Sequence, residues 1–294
     1  MTDQPMPDHS MPDHSMPDHS LPDHSLPDQS LPDPSLDHRS VPLSAGGEMP
    51  LLGLGTWQLR GHTAREATAQ ALEVGYRLVD TATAYGNEAE VGAAIRESGL
   101  AREEVFITTK LPAERADRAS ATLAESLRLL GLDHVDLWLI HWPPRGAASP
   151  RTWEHLIMAR ESGLARHVGV SNYSTAQIDE LVAATGVTPE VNQVEWAPVL
   201  FDPARVAHHR AAGVVLEGYS PFRASRLDDP VLVEVAAAHA VTPAQVILRW
   251  HVQHDVVAIP RSARPERIAA NADLWSFRLT EEQMRRIDAL GEAS

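Results

Sequence analysis

The sequence predicts an α/β fold, a (β/α)8 TIM barrel, on three observations. Eight short apolar runs recur between residues 51 and 260, segments with helix-start signals separate them, and 294 residues suit a barrel of roughly 250 with an appendage. The runs are LLGLGT (51–56), YRLVD (76–80), VFITT (105–109), VDLWLI (135–140), HVGV (167–170), VNQVE (191–195), VVLEGY (214–219) and VVAIP (256–260). Each is short and aliphatic or β-branched, as expected of strands covered on both faces in a parallel sheet. Thr63…Glu66, Ser174…Gln177 and Thr280…Gln283 read as capping boxes, and Ser149, Asp229 and Thr242 stand directly before a Pro at the first helical position. Gly46-Gly47, just ahead of the first run, predicts a small N-terminal β-hairpin. A doubly wound open sheet is the rival architecture. Its dinucleotide fingerprint is missing, because Gly53-Leu54-Gly55 continues as Thr56-Trp57-Gln58 without the third Gly that lets helix pack on strand.

The chain divides at about residue 40, into a repeat tail (1–40) and a barrel domain (41–294). MPDHS begins at 6, 11 and 16, LPDHS follows at 21, and decaying copies continue to residue 40. A five-residue period matches neither helix nor strand, and the recurrent Pro removes backbone donors, so the tail is expected to be disordered. His9, His14, His19, His24 and His38 invite a metal reading, but isolated His separated by Pro do not preorganise a coordination shell. A solvated linker is the better account. Eight Asp against one Arg give the tail −7 of the formal −15.

Composition excludes several function classes. With no Cys there is no disulfide scaffold, thiolate metal site or cysteine nucleophile. The acidic balance argues against nucleic acid as a partner. No run approaches the ~18 consecutive apolar residues of a membrane helix, and the N-terminus lacks a basic and an apolar signal region. A cytoplasmic protein with no membrane partner is expected.

In such a barrel, chemistry belongs at the C-terminal ends of the strands. Asp80 and Tyr85 follow the second run, Lys110 the third and His141 the fourth. Their chemistry is coherent. A Tyr hydroxyl is a poor proton donor to a carbonyl unless a nearby ammonium stabilises its phenolate, a carboxylate keeps that ammonium charged, and a neutral His directs a carbonyl oxygen. Of 25 basic residues 24 are Arg, so Lys110 is the only Lys. An accidental survivor is the bland account; its place at a strand end favours a site that needs a compact, titratable ammonium.

The stretch from GLGTWQL through DTATAYGNE, TTK, LIHWP, GVSNY, NQVE, GYSP and IPRS…RIAAN resembles the aldo-keto reductase family, in its bacterial type with a short C-terminus. The resemblance covers nearly all of residues 41–290. It implies a barrel oxidoreductase that uses NADP(H) without a Rossmann fold, with a catalytic tetrad of Asp80, Tyr85, Lys110 and His141. It further implies that Ser171, Asn172 and Gln193 hold the nicotinamide carboxamide, Tyr219 stacks on the nicotinamide ring, and Ser220 and Phe222 border the pyrophosphate. Arg261, Ser262 and Arg267 match the positions that bind the 2′-phosphate, and Asn271 matches an adenine contact. Two positions depart from the family pattern. Its usual Lys is Arg261, which keeps the charge and adds a fork suited to phosphate; its usual acidic residue before the Asn is Ala270, which removes one adenine or ribose contact.

The local alternatives are weaker. Ser174 already caps the helix that Ser171-Asn172 would cap. Asn192 and Gln193 inside an apolar strand need partners that a ligand supplies. Arg261, Arg264 and Arg267 at a helix start oppose the helix dipole unless an anion neutralises them. Trp57 and Trp142, just past strand ends, match substrate-pocket positions, with rim packing as their ordinary alternative. The short C-terminus implies an open pocket and broad specificity.

The expected function is NADPH-dependent reduction of aldehydes or ketones, including α-dicarbonyls or keto-sugars, to alcohols with Tyr85 as general acid. The partner is a small-molecule carbonyl substrate, the cofactor NADP(H), and the expected state a monomer. The alternative is a nicotinamide-binding, redox-sensing regulatory module without significant turnover, for which the repeat tail is the only support. A metal-dependent hydrolase needs clustered His and Asp ligands at strand ends, and only Asp80 and His141 qualify.

Overall fold

A computed structural model describes residues 39–291; the expectations for the repeat tail and its five His fall outside the described residues. β1 (Ser40–Pro42) and β2 (Glu48–Pro50) pair antiparallel, Ser40 opposite Pro50, around a turn through Gly46 and Gly47. This is the expected hairpin. Val41, Leu43 and Met49 from it are buried with Leu78, Phe106, Leu137, Leu139 and Val191, so the hairpin closes the floor of the barrel with apolar side chains.

The eight runs all form strands. They are β3 (Leu54–Gly55), β4 (Leu78–Asp80), β5 (Phe106–Leu111), β6 (Val135–Ile140), β7 (Ala165–Ser171), β8 (Val191–Glu195), β9 (Val215–Tyr219) and β10 (Val257–Ile259). Each is parallel to the next in sequence order. The ring closes where Leu52 bridges Ala258, with Gly53 N donating to Ala258 O and Ala258 N to Leu51 O, both at 2.9 Å. A Cβ on Gly55 would lie 2.7 Å from Ile259 O, so this seam admits only glycine without a backbone shift.

Among the described residues ten helices cover the barrel: α1 (Gly61–Glu73), α2 (Glu88–Glu97), α3 (Ala119–Leu130), α4 (Pro150–Glu161), α5 (Thr175–Thr185), α6 (Pro203–Ala212), α7 (Pro230–Ala238), α8 (Pro243–Gln253), α9 (Pro265–Ala272) and α10 (Glu281–Asp288). Ser174 with Gln177 and Thr280 with Gln283 make the expected reciprocal caps, Thr242 does the same with Gln245, and Asp229 accepts from Val231 N. Two start signals act differently. α1 begins two residues before Thr63, with Arg60 at its cap position, and Glu66 pairs with exposed His62 at 3.0 Å instead of reaching back to Thr63. Ser149 does precede α4, but its backbone is left-handed (φ 57°), which turns its hydroxyl back to donate to Ala147 O at 3.3 Å, so it caps nothing.

Strand alternation explains what the barrel holds. Val79, Ile107, Trp138, Ile140, Val168 and Val170 pack against helix residues such as Leu123, Leu156 and Ile178. The alternate positions face the barrel axis. These are apolar at the floor (Leu78, Phe106, Leu137, Val191) and become polar toward the strand C-termini, where Asp80, Lys110, Gln193 and Glu217 are all buried. The register sets Gln193 beside Glu217 and Asp80 beside Thr108.

Candidate active site

Asp80 is the last residue of β4, and Tyr85 ends the short 3-10 turn Thr83–Tyr85 that follows it. Thr83 Oγ1 donates to Lys110 O at 3.0 Å, which fixes that turn against β5. Lys110 lies near the end of β5, and His141 directly follows β6. The structure therefore brings the four residues together. Lys110 Nζ, with no exposed surface, donates to Asp80 Oδ1 (2.6 Å), Asp80 Oδ2 (2.7 Å) and Thr81 O (2.9 Å), and reaches the Tyr85 hydroxyl at 3.4 Å. Tyr85 and His141 meet edge to face with ring centres 5.6 Å apart.

Burial and charge oppose one another here. Burial works to lower the Lys110 ammonium, but Asp80, Tyr85 and Glu217 outweigh it and push it up to about 12. Lys110 therefore stays charged. Burial and then Lys110 push His141 down to about 3, so the imidazole is neutral at ordinary pH and can donate one N–H. The Tyr85 hydroxyl differs from the sequence expectation. Burial raises it and Lys110 pulls it down, but burial wins, so Lys110 restrains the rise without bringing the group below its ordinary value.

These groups open on a cavity of about 560 Å³ lined by Asp80, Tyr85 and His141 together with Ser171, Asn172, Gln193, Tyr219, Ser220, Phe222 and Arg261. Trp57 and Trp142 line it too, 46 % and 52 % exposed, which is unusual for such large apolar rings and leaves them available to a bound molecule. Ser262, Arg267 and Asn271 lie on the loop after Arg261 and on α9 and do not line this cavity. Ser262 Oγ accepts from Arg264 N at 3.1 Å and organises the start of α9. Among the described residues, none after Arg261 contributes to the lining.

The cavity wall is a connected polar network. Asn172, in the left-handed region at φ 63°, donates from Nδ2 to His141 O (3.1 Å) and Ser171 Oγ (3.0 Å) and accepts at Oδ1 from the Tyr219 hydroxyl (2.8 Å). Ser220 is also left-handed, at φ 54°. Two such non-glycine residues lining one cavity hold backbone strain where function concentrates.

Two residues of this site escape the motif reading. Arg223 lines the cavity beside Phe222. Glu217, with no exposed surface on β9, accepts from Gln193 Nε2 at 2.8 Å, and the same nitrogen donates to Asp80 Oδ2 at 2.8 Å. A charged residue inside the apolar run VVLEGY is the one signal that could have found it. Three His on the barrel's outer helices have structural partners. His209 bonds Asn192, His251 bonds Ile247 O and Trp196 O, and His254 bonds Asp288. Among the described residues no group of three or more His, Cys, Asp or Glu is set to hold a metal ion, and no single helix is long and apolar enough to cross a membrane.

A parallel eight-stranded barrel with a buried Asp–Lys pair, a Tyr and a neutral His at its C-terminal mouth defines a class of barrel oxidoreductases. The chain belongs to the aldo/keto reductase family, whose model matches residues 51–292. It is 44 % identical over 270 residues to morphine 6-dehydrogenase of Pseudomonas putida, covering 85 % of this chain and 90 % of that one. It is 43 % identical over 256 residues to 2,5-diketo-D-gluconic acid reductase B of Corynebacterium sp. (strain SHS752001), covering 85 % and 92 %. The structure of a Bombyx mori aldo-keto reductase in complex with NADP superposes with a TM-score of 0.80 at 35 % identity, covering 85 % and 92 %.

The family's cofactor is NADP(H), and the residues present fit it. Gln193 Nε2 is committed to two carboxyls, whereas its Oε1 has no hydrogen bond among the described residues and can accept from a carboxamide. In the lining of the same cavity Arg261 and Arg223 supply guanidinium forks of the kind that grip phosphate oxygens. Amide acceptor, aromatic ring and guanidinium thus line one cavity, the set of groups a nicotinamide dinucleotide phosphate needs.

Proposed function

We propose that the protein reduces aldehydes or ketones to alcohols with NADPH and runs the reverse oxidation with NADP. One observation carries this reading: Lys110 Nζ, fixed by Asp80, lies 3.4 Å from the hydroxyl of a Tyr that faces the cavity. NADPH, when bound, supplies a hydride to the carbonyl carbon. Tyr85 gives its hydroxyl proton to the carbonyl oxygen, and Lys110 stabilises the phenolate that remains. Asp80 keeps Lys110 charged and aimed. His141, neutral, donates its N–H to the same oxygen and directs the carbonyl toward Tyr85. Ser171, Asn172, Gln193 and Tyr219 hold the nicotinamide end. Phe222 and Ser220 flank the pyrophosphate, and Arg261, Ser262, Arg267 and Asn271 take the adenosine 2′-phosphate end.

Trp57 and Trp142 form the substrate walls, suited to a carbonyl whose polar end points inward. The half-exposed Trp57 and Trp142 beside the cavity support a broad range, with α-dicarbonyls and keto-sugars within it. We read the chain as a 1–40 tail on a 41–294 reductase domain, acting as a cytoplasmic monomer.

The test is the loss of NADPH absorbance with purified protein against a panel of aldehydes, α-dicarbonyls and keto-sugars, repeated with NADH. Turnover that prefers NADPH is the expected result. Saturable NADPH binding with no turnover on any carbonyl overturns it in favour of the redox-sensing module.

A further inference from the structure

Glu217 belongs to none of the motifs above, yet it completes the charge arithmetic of the barrel mouth. Three ionisable side chains meet there with almost no solvent: Asp80 from β4, Lys110 from β5 and Glu217 from β9. One ammonium faces two carboxyls. Both oxygens of Asp80 are bonded to Lys110, at 2.6 and 2.7 Å, whereas Glu217 has no bond to Lys110 and touches the pair only through the Gln193 amide. A second buried anion without its own cation is strongly disfavoured, so the site carries one proton more than the Lys–Asp pair accounts for, and it sits on the carboxyl that Lys110 does not reach. Gln193 Nε2 donates to Glu217 Oε2, which leaves Oε1 to bear the proton. Oε1 is buried and has no hydrogen-bond partner among the described residues. An unsatisfied buried polar atom is rare in a folded protein and calls for a reason.

We propose that Glu217 is a positioning residue of the reductase site: a neutral carboxyl that fixes the Gln193 amide against Asp80 and keeps the Asp80–Lys110–Tyr85 group at zero net charge. Burial, with Asp80 second, pushes Glu217 up to about 8, in keeping with this arrangement. The groups facing it are Asp80 on β4, Tyr85 after it, Lys110 on β5 and Gln193 on β8. The neighbouring strand β10 offers only Val257, Ala258 and Ile259. When Glu217 loses its proton, the new negative charge tightens the hold of both Lys110 and Tyr85 on theirs. Tyr85 then resists becoming the phenolate that alcohol oxidation requires.

Two experiments on the full chain test this, and only the second rests on the functional reading above. The first is infrared spectroscopy of the protein between about pH 6 and about pH 10. The wild-type minus E217Q difference is expected to contain a protonated carboxyl band that disappears as pH rises through about 8. A difference without that band overturns the proposal. Should E217Q fail to fold, the E88Q variant carrying carbon-13 at its glutamate carboxyls replaces it, because Glu88 is the other buried Glu whose carboxyl burial raises. A shifted glutamic-acid band persisting above neutral pH supports the assignment, and its absence overturns it.

The second experiment is the pH profile of alcohol oxidation. E217Q is expected to reach its half-maximal rate at a lower pH than wild type, by at least about half a unit, because a nearby anion has been removed. A midpoint that is unmoved or higher overturns the charge-setting role. Absence of turnover in the wild type defeats the reductase reading while the infrared result still decides whether Glu217 is neutral.

Discussion

Lys110 Nζ is bonded to both carboxylate oxygens of Asp80, at 2.6 and 2.7 Å, where Lys110 has no exposed surface and Asp80 only 2 %. An ion pair this deeply buried adds little net stability when intact and is costly to break from one side, because the surviving charge stays buried. Asp80→Asn is therefore expected to destabilise the fold by about 3 to 5 kcal/mol. Urea titration of both proteins measures this. A loss below about 1 kcal/mol would show that Lys110 does not depend on the Asp80 charge.

The same pocket bounds what can replace the Lys. Lys110→Arg keeps the charge but brings a planar guanidinium into a space shaped for a compact ammonium held by Asp80 and Thr81 O. Turnover is expected to fall at least ~100-fold, since the phenolate loses its aligned cation. Steady-state kinetics at saturating NADPH read this out, and near-normal turnover would remove the argument that the lone Lys marks the site.

Tyr85→Phe separates proton donation from binding. The hydroxyl is the only group the change removes, and the ring stays between His141 and Lys110. Reduction is expected to drop by about 10²- to 10⁴-fold while NADPH affinity, measured by fluorescence titration, holds within a few-fold. Substantial residual activity would mean that another group is the general acid.

His141 carries a pH prediction. Its imidazole is pushed down to about 3 by burial and by Lys110, against 6.5 when exposed. The folded state refuses a proton that the unfolded chain accepts, so the stability tied to this group is present above about 6.5 and is lost as pH falls toward about 3. Across the neutral range the ring is expected to stay uncharged. Nuclear magnetic resonance of the His ring protons tests this, with a His141→Gln spectrum for assignment; a titration midpoint near 6.5 would contradict the role of a neutral hydrogen-bond donor.

Much of the fold was readable because period and punctuation agree. VDLWLI and VNQVE coincide with β6 and β8 residue for residue, since short runs rich in aliphatic and β-branched residues between helix-start signals mark strands covered on both faces, even where a polar residue interrupts them. The first run was less readable. Six residues read as a strand, but only Leu54–Gly55 pair regularly, with the closure carried through Leu52 and Gly53, because ring closure depends on a partner some 200 residues away. Thr63 misled for a local reason: a capping-box pattern sets no boundary when the chain entering the helix is already turned at Gly61 (φ 50°). In the site, Lys110 was legible from its rarity. Glu217 was not, because one charged residue in an apolar run reveals its partners only when Gln193 and Asp80 arrive from other strands.

Arg261 stands where the family pattern has Lys, in the lining of the cavity that Tyr85 and the amides share. If it grips the adenosine 2′-phosphate, its removal acts on the phosphate and on nothing else in the dinucleotide. A charge-assisted fork to phosphate is worth about 1.5 to 3 kcal/mol, so Arg261→Ala is expected to weaken NADPH binding by roughly 10- to 150-fold. NADH lacks that phosphate, and its affinity should change by less than about threefold. Parallel binding titrations with the two nucleotides give the ratio directly. Equal losses for both would assign Arg261 to the shared pyrophosphate and transfer the 2′-phosphate to Arg267, which lies outside the cavity on α9 and would have to swing toward it.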